Sequence, residues 1–365
     1  MCGIAGAQNP ETVRKLMESL EHRGSSSKIR DSDDIVLGHF LHSVVGEVKQ
    51  PLEGNGVLIA NCEIYNWKEL ATEYDLDVEN DAELLLELLD LKGIKALEEI
   101  DGIYSFAYLD GSELIIARDK LGVNPLWYCE DQFAFASEKQ ALEKQGLEAK
   151  ELHPRQILRY DLETEKIRFE QREFFEINVE DKKDIDEAAE EIKELFLKAV
   201  EKRIPKSDLA LLFSGGVDST LIAAALQELG KEFTAYTSGI QHGNVNAPRD
   251  MDWARKIADG MDIDLRSYEA ELEEVKQDIP KIADWISSTS VVKNGVALPF
   301  HYALRGEEKV VMSGLGSEQL YAGYHRQQGY LNKECLSGLR GMYERDLYRD
   351  NVISFRHGYE LRVPF

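Results

Sequence analysis

A chain of 365 residues exceeds what one hydrophobic core usually holds and predicts two domains. With 43% hydrophobic and 30% charged residues it reads as an ordinary soluble globular protein, neither disordered nor membrane-embedded. The balance of 43 Lys and Arg against 68 Asp and Glu, a formal charge of −25, disfavours a nucleic-acid partner, because a phosphate backbone is gripped by clustered cations.

The chain opens on Met1-Cys2-Gly3-Ile4-Ala5-Gly6, without the basic start and apolar run of a secretory signal. No later segment approaches the roughly 20 apolar residues of a membrane span, so no membrane partner is expected. Cys2, Cys62, Cys129 and Cys335 form no CxxC pair, which signals neither structural zinc nor a disulfide framework and points to the cytoplasm. Removal of Met1 would leave Cys2 with a thiol nucleophile and, in its own α-amine of pKa about 8, a general base.

From residue 1 to about 175 short apolar runs at Val57–Ala60, Tyr104–Leu109 and Glu113–Ala117 alternate with Gly, Asp and Asn, a strand-and-turn texture. Helical period appears at Pro10–Leu20 and Asp81–Leu91. Asn178–Asp186 is a polar, acidic linker, and the segment running on to Val200 is an acid-headed helix. Then strand and helix alternate: strand Asp208–Phe213, helix Asp218–Leu229, strand Phe233–Thr237, helix Met251–Met261, strand Lys309–Met312. That order predicts a doubly wound parallel sheet. Trp253 and Trp285 read as core, and His301 and His325 as isolated histidines without a second ligand at metal spacing.

Directly after the first of these strands comes Ser214-Gly215-Gly216-Val217-Asp218-Ser219-Thr220. Free N–H groups at a helix start favour an anion, glycines admit it, hydroxyls add donors and Asp218 is a hard oxygen ligand for Mg²⁺. No Lys precedes the Ser/Thr as in a Walker loop; the segment resembles the SGGxDS pyrophosphate loop of N-type ATP-pyrophosphatases.

Cys2-Gly3-Ile4-Ala5-Gly6, His22-Arg23-Gly24, Asn61-Cys62-Glu63-Ile64-Tyr65-Asn66, Asp101-Gly102, Ala117-Arg118-Asp119-Lys120-Leu121-Gly122 and Ala136-Ser137-Glu138 follow the order seen in class II glutamine amidotransferases. That resemblance implies Cys2 as nucleophile, Asn61 and the Cys62 N–H as oxyanion hole, and Asn61, Glu63 and Asp81 as glutamine ligands. Leu41 stands where the family's substrate-carboxylate Arg would be, in His39-Phe40-Leu41-His42. A carboxylate without that bidentate partner should bind more weakly.

Fusion of such a unit to an SGGxDS loop resembles the asparagine synthetase B family, as do Ser313-Gly314-Leu315-Gly316-Ser317-Glu318 through Tyr324 and His357-Gly358-Tyr359-Glu360-Leu361-Arg362-Val363-Pro364-Phe365. The resemblance implies an α+β N-terminal nucleophile hydrolase domain, an αββα sandwich, at 1–177. A linker at 178–186 and an α/β ATP-pyrophosphatase synthetase domain at 187–365, shortened at its C-terminus, follow. It further implies ATP contacts at Leu212, Ser214, Gly215, Gly216, Val217, Asp218, Ser219, Thr237, Ser313 and Gly314, with Mg²⁺ on Asp218 and Glu318. Acceptor or transition-state candidates are Lys293, Tyr324, Arg326 and Glu360.

The family's Glu and Lys near the transition state fall on Leu315 and Val352, so Arg349, Arg356, Lys293 or Arg326 would have to supply the charge a phosphoryl transition state needs. The implied activity is glutamine-dependent asparagine synthesis from aspartate and ATP, by a homodimer, with an apolar passage carrying ammonia. The alternatives are an adenylating synthetase for another carboxylate, of the β-lactam type, and a non-catalytic relative.

Overall fold

A computed structural model of the chain describes residues 2–32, 34–44, 48–176, 184–241, 249–321, 323 and 331–365. They form two compact units, Met1–Phe174 and Phe175–Phe365.

In the first unit the chain runs β1 (Gly3–Ala7), α1 (Pro10–Ser19), β2 (Ser26–Arg30), β3 (Val36–Leu41), β4 (Leu52–Glu53), β5 (Val57–Ile64), α2 (Trp67–Glu73) and α3 (Asp81–Lys92). It continues through β6 (Gly102–Asp110), β7 (Glu113–Arg118), β8 (Trp127–Cys129), β9 (Ala134–Ala136), α4 (Lys139–Glu143), β10 (Lys150–Glu151), β11 (Gln156–Asp161) and β12 (Lys166–Gln171). The strands make two antiparallel sheets, β10-β8-β9-β1-β3-β2 and β12-β11-β7-β6-β5-β4.

Strand alternation sorts the side chains into layers. Ile4, Leu37, Ile59, Ala107, Ile116, Phe135 and Leu158 meet between the two sheets. Leu58, Ala60, Phe106, Tyr108 and Ile115 point out of the second sheet onto Leu84, Leu85, Leu88 and Leu89 of α3. Each of those leucines is at most 2% exposed, a burial that contributes about 2–3 kcal/mol. On the outer face of the first sheet, Val13, Leu16 and Met17 of α1 are buried, and a side chain at Gly38 would strike Met17 Sδ at 2.7 Å. Helix, sheet, sheet, helix is the expected αββα sandwich. Both helices start where Asn caps them: the Asn9 side chain accepts from the Glu11 and Thr12 N–H, and that of Asn80 from Ala82 and Glu83.

His39, 2% exposed on β3, is held down to a pKa of about 3 by burial, against an ordinary 6.5, with a backbone bond to Ala60 opposing. The unfolded chain therefore takes up this proton first, so stability present above pH 6.5 is lost as pH falls. Between pH 7 and pH 5 this one site should cost about 2 kcal/mol, and His39→Gln should flatten that part of the curve in denaturant titrations.

The second unit runs α5 (Ile185–Glu201), β13 (Leu209–Leu212), α6 (Val217–Glu228), β14 (Thr234–Gln241), α7 (Arg249–Met261), β15 (Leu265–Glu271), α8 (Leu272–Trp285) and α9 (Val291–Ala303). Then come β16 (Val310–Met312), α10 (Ser317–Leu320), α11 (Leu331–Arg340), α12 (Tyr348–Arg356) and β17 (Glu360–Arg362). The five strands pair in parallel in the order β15-β14-β13-β16-β17. Chain order thus climbs one way from β13 to β15 and the other way from β16 to β17, which is a doubly wound sheet with its switch point between β13 and β16.

Helix α5 begins at Ile185, where the Asp184 side chain accepts from the Asp186 N–H at 2.9 Å. The last two residues of the expected linker are therefore helical, and 178–183 lie outside the described residues. Among the described residues no helix is long and apolar enough to cross a membrane.

Candidate active sites

Cys2 precedes Ile4 by two residues, and Ile4 points between the sheets, so the same alternation turns the Cys2 side chain inward. Asn61 and Glu63 share the parity of Ile59 and face the same gap from the second sheet. The main chain at Cys2 is braced: Arg23 Nε and Nη2 donate to the Cys2 carbonyl at 3.1 and 3.0 Å. Arg23 Nη1 donates to Glu138 Oε1 at 3.0 Å, and His22 Nε2 lies 2.6 Å from the same oxygen. Arg23 and Glu138 are each 1% exposed, where a charge is tolerated only when paired. Ser137 Oγ accepts from the Ile4 N–H at 2.9 Å. The His22-Arg23 and Ser137-Glu138 segments, far apart in sequence, thus act on one short piece of chain.

The backbone of β5 supplies a donor. Ala60 N–H donates to the Gln50 side chain, and Ile64 N–H donates to Asp81 Oδ2 at 3.0 Å. Both bonds leave the edge of β5 away from β6, and since N–H direction alternates with period two, the Cys62 N–H between them points off that same edge. Asn61 is 1% exposed, and neither its Oδ1 nor its Nδ2 finds a hydrogen-bond partner among the described residues. A buried amide left unmatched is costly unless something else matches it, as an oxyanion would. Asn124 Nδ2, donating to the Asn61 carbonyl at 2.8 Å, fixes the main chain there. Asn124 escaped the sequence reading, because nothing in its neighbourhood announces a partner 63 positions away.

Asp81 is buried and spends one oxygen on Ile64 N–H. Burial pushes the Cys62 thiol well above the usual thiol range, and Asp81, Cys2 and Glu63 around it push the same way. Cys62 therefore stays a neutral thiol. Leu41 shares the inward parity of Leu37, and the β1–β3 register, Gly3 opposite Phe40, sets it beside Cys2. A buried apolar side chain stands where the resembling family carries its cation. The resemblance implies a glutaminase in which replacing Asn61 by Ala lowers kcat about 10²–10³-fold with little change in KM, measured as glutamate release.

In the second unit, β13 delivers Ser214–Thr220 to the carboxyl edge of the sheet and β16 delivers Ser313-Gly314 beside it. The two loops meet: a Cβ on Gly314 would lie 2.8 Å from Asp218 Cβ. Gly215 has φ +71°, closed to most side chains, and Gly216 caps α6 without a side-chain bond, leaving N–H groups at the helix start. Ser214 Oγ and Ser219 Oγ are 3.3 Å apart, and Gly216 N–H donates to Ser214 Oγ at 3.3 Å. Leu212 pairs with Tyr236, so Thr237 stands level with the start of the loop, and Ser313 is buried at its edge.

The remaining candidates separate. Glu318 is exposed on α10. Lys293 is half-buried, its Nζ 3.5 Å from the Glu344 carbonyl. Glu360 is buried against Arg362, whose Nε and Nη2 both reach Oε1 at 2.7 Å. Tyr324, His325 and Arg326 lie outside the described residues. Val352 is wholly buried within α12, and Leu315 is half-buried. Arg349 is committed to Asp350 and Asp346, whereas Arg356 lies 5.7 Å from the Trp285 ring.

Two expectations are corrected. Trp253 is 50% exposed rather than core, because its indole edge turns to the Gly215 carbonyl. His301 is not isolated: it is 5% exposed and links Asp278 Oδ2 at 3.2 Å to His357 Nε2 at 2.9 Å.

Residues 1–180 match the family model described as a glutamine amidotransferase domain, and 191–335 the one described as asparagine synthase. The "asparagine synthetase [glutamine-hydrolyzing] 1" of Methanocaldococcus jannaschii is 33% identical, covering 100% of this chain and 78% of that protein. Asparagine synthetase B of Escherichia coli is 28% identical over 100% of this chain and 73% of its own. Among solved structures, the glutamine PRPP amidotransferase from B. subtilis, complexed with ADP and GMP, covers 69% of this chain and 70% of its own at 18% identity and a TM-score of 0.42. Matched end to end by the methanocaldococcal protein, with its two units falling on the two family models in order, the chain belongs to the glutamine-hydrolysing asparagine synthetase family.

Proposed function

We propose that the chain makes asparagine from aspartate, glutamine and ATP, with the residues in the following roles. Cys2 attacks the side-chain amide carbon of glutamine, its thiol proton passing to the Cys2 α-amine and on to the departing ammonia. The tetrahedral oxyanion is met by Asn61 Nδ2 and the Cys62 N–H, while Glu63 and Asp81 receive the glutamine ammonium. Water then releases glutamate from the thioester.

At the other site the aspartate side-chain carboxylate attacks the α-phosphorus of ATP, and pyrophosphate leaves toward the N–H groups and hydroxyls of Ser214–Thr220. Ammonia attacks the resulting acyl carbon and AMP departs. Among the described residues no group of three or more His, Cys, Asp and Glu side chains is placed to cage a metal. Mg²⁺ is ordinarily bound through one or two carboxylates together with phosphate oxygens. Asp218 and Glu318 would hold it. When bound, it neutralises charge on the phosphates.

The observation that carries this reading is the meeting of Asp218 with Gly314 at the switch point of the parallel sheet. The test is the fate of nitrogen: glutamine labelled in its side-chain amide, with aspartate and ATP, should give labelled asparagine and AMP in equal amounts. AMP formed only with another carboxylic acid would replace aspartate as acceptor. No AMP with any acid would end the synthetase reading.

A further inference from the structure

The loop that receives pyrophosphate contains the Gly215–Gly216 peptide, which has no side chain on either flank. Such a plane turns over easily, because rotation about the bonds on both sides meets no Cβ. Its orientation matters: in a trans peptide the carbonyl and the following N–H point opposite ways, so one flip would exchange an inward donor for an inward acceptor facing an anion.

The structure holds this plane from outside the loop. Trp253 Nε1, on α7, donates to the Gly215 carbonyl at 2.9 Å. The Gly216 N–H is thereby turned the other way, into the loop, where it meets Ser214 Oγ at only 3.3 Å, a long bond that a phosphate oxygen can displace. Helix α7 lies close: a Cβ at Gly215 would come 2.9 Å from Ala254 Cα and 3.1 Å from Trp253 Cδ1. Lys256 Nζ, 5.3 Å from the centre of the Trp253 ring, adds a cation over its face.

A tryptophan that served only to fill space would be covered, yet Trp253 is 50% exposed. Among the described residues its indole N–H goes to this one carbonyl.

We propose that Trp253 is a positioning residue for the pyrophosphate loop, its indole N–H locking the Gly215–Gly216 peptide in the orientation that presents a donor to the departing pyrophosphate. The inference rests on the assignment of Ser214–Thr220 to ATP. A single neutral hydrogen bond of this kind should be read as a roughly threefold to tenfold change in binding.

The probe is inorganic pyrophosphate with Mg²⁺, titrated calorimetrically into the full chain and into Trp253→Phe, which keeps an aromatic ring and loses the N–H. The expected result is that the pyrophosphate Kd and the KM for ATP rise together by that factor in Trp253→Phe. The KM for aspartate and the thermal midpoint should stay unchanged. Trp253→Ala, which also removes the ring packed on Gly215, should weaken pyrophosphate at least as much.

Pyrophosphate binding by Trp253→Phe equal to that of the unaltered chain overturns the inference while leaving the loop assignment intact. A loss that tracks a lowered thermal midpoint overturns it too, since that is the mark of a merely structural bond. An unaltered chain that takes up neither pyrophosphate nor ATP overturns the loop assignment, and the inference with it.

Discussion

Asp218→Ala should form no detectable AMP from aspartate, ammonia and ATP while releasing glutamate from glutamine at the unaltered rate. Asp218 sits in the first turn of α6, against Gly314 of the neighbouring loop. In the proposed reaction it carries Mg²⁺ to the phosphates, and its loss would remove both a ligand and a fixed charge from a reaction whose barrier is chiefly electrostatic. A fall of about 10³-fold or more in pyrophosphate release is expected, comparable to or beyond the loss of a single oxyanion donor. Asp218→Asn should recover little, because the charge and not the shape is missing. Steady AMP formation by Asp218→Ala would take this residue out of the reaction.

Cys2→Ala should give the converse: no glutaminase, and synthesis that still proceeds when ammonium replaces glutamine. Loss of a covalent nucleophile should lower glutamate release by at least about 10⁴-fold. Ser is a less decisive replacement, since its hydroxyl can still attack slowly. The neighbouring Cys62 will not substitute, because its thiol is held protonated by burial and by the acids beside it. Asparagine formation from ammonium at the unaltered rate separates the two sites. A chain that also loses its ammonium-dependent activity in Cys2→Ala would mean that the residue supports the structure and not only the hydrolysis.

The two anchors were legible because each is local. The Ser214–Thr220 loop carries its strand, turn and helix start within one stretch of sequence, and Cys2 is defined by its position. Alternating strands and helices gave the second unit its parallel sheet, but β17 is only three residues long and has no apolar run to betray it. Strand β15 reads Leu-Arg-Ser-Tyr-Glu-Ala-Glu, an edge strand too polar for the hydrophobic pattern to mark.

The supports were not legible, because they bond across distance. Glu138 reaches Arg23 over 115 positions, Asn124 reaches Asn61 over 63, and Trp253 reaches Gly215 over 38. Periodicity ranks a tryptophan in a helix as core, and only the folded chain shows its nitrogen spent on a glycine carbonyl. The departures from the family pattern had the opposite fate: Leu41, Leu315 and Val352 were visible at once as residues. The fold then gave Leu41 its meaning, since strand parity turns it inward beside Cys2, and it left Val352 inside a helix that is buried from Tyr348 to Phe355.

That parity reaches further than one side chain. Cys2 is turned to the side that Asn61 also faces because it lies two positions from Ile4, with Gly3 alone between them. Insertion or deletion of a single residue between them would turn the thiol toward α1 while every bond of the sheet could still form. A change of length here keeps the thiol on its face only in steps of two. The first strand therefore acts as a ruler that sets which face the thiol takes.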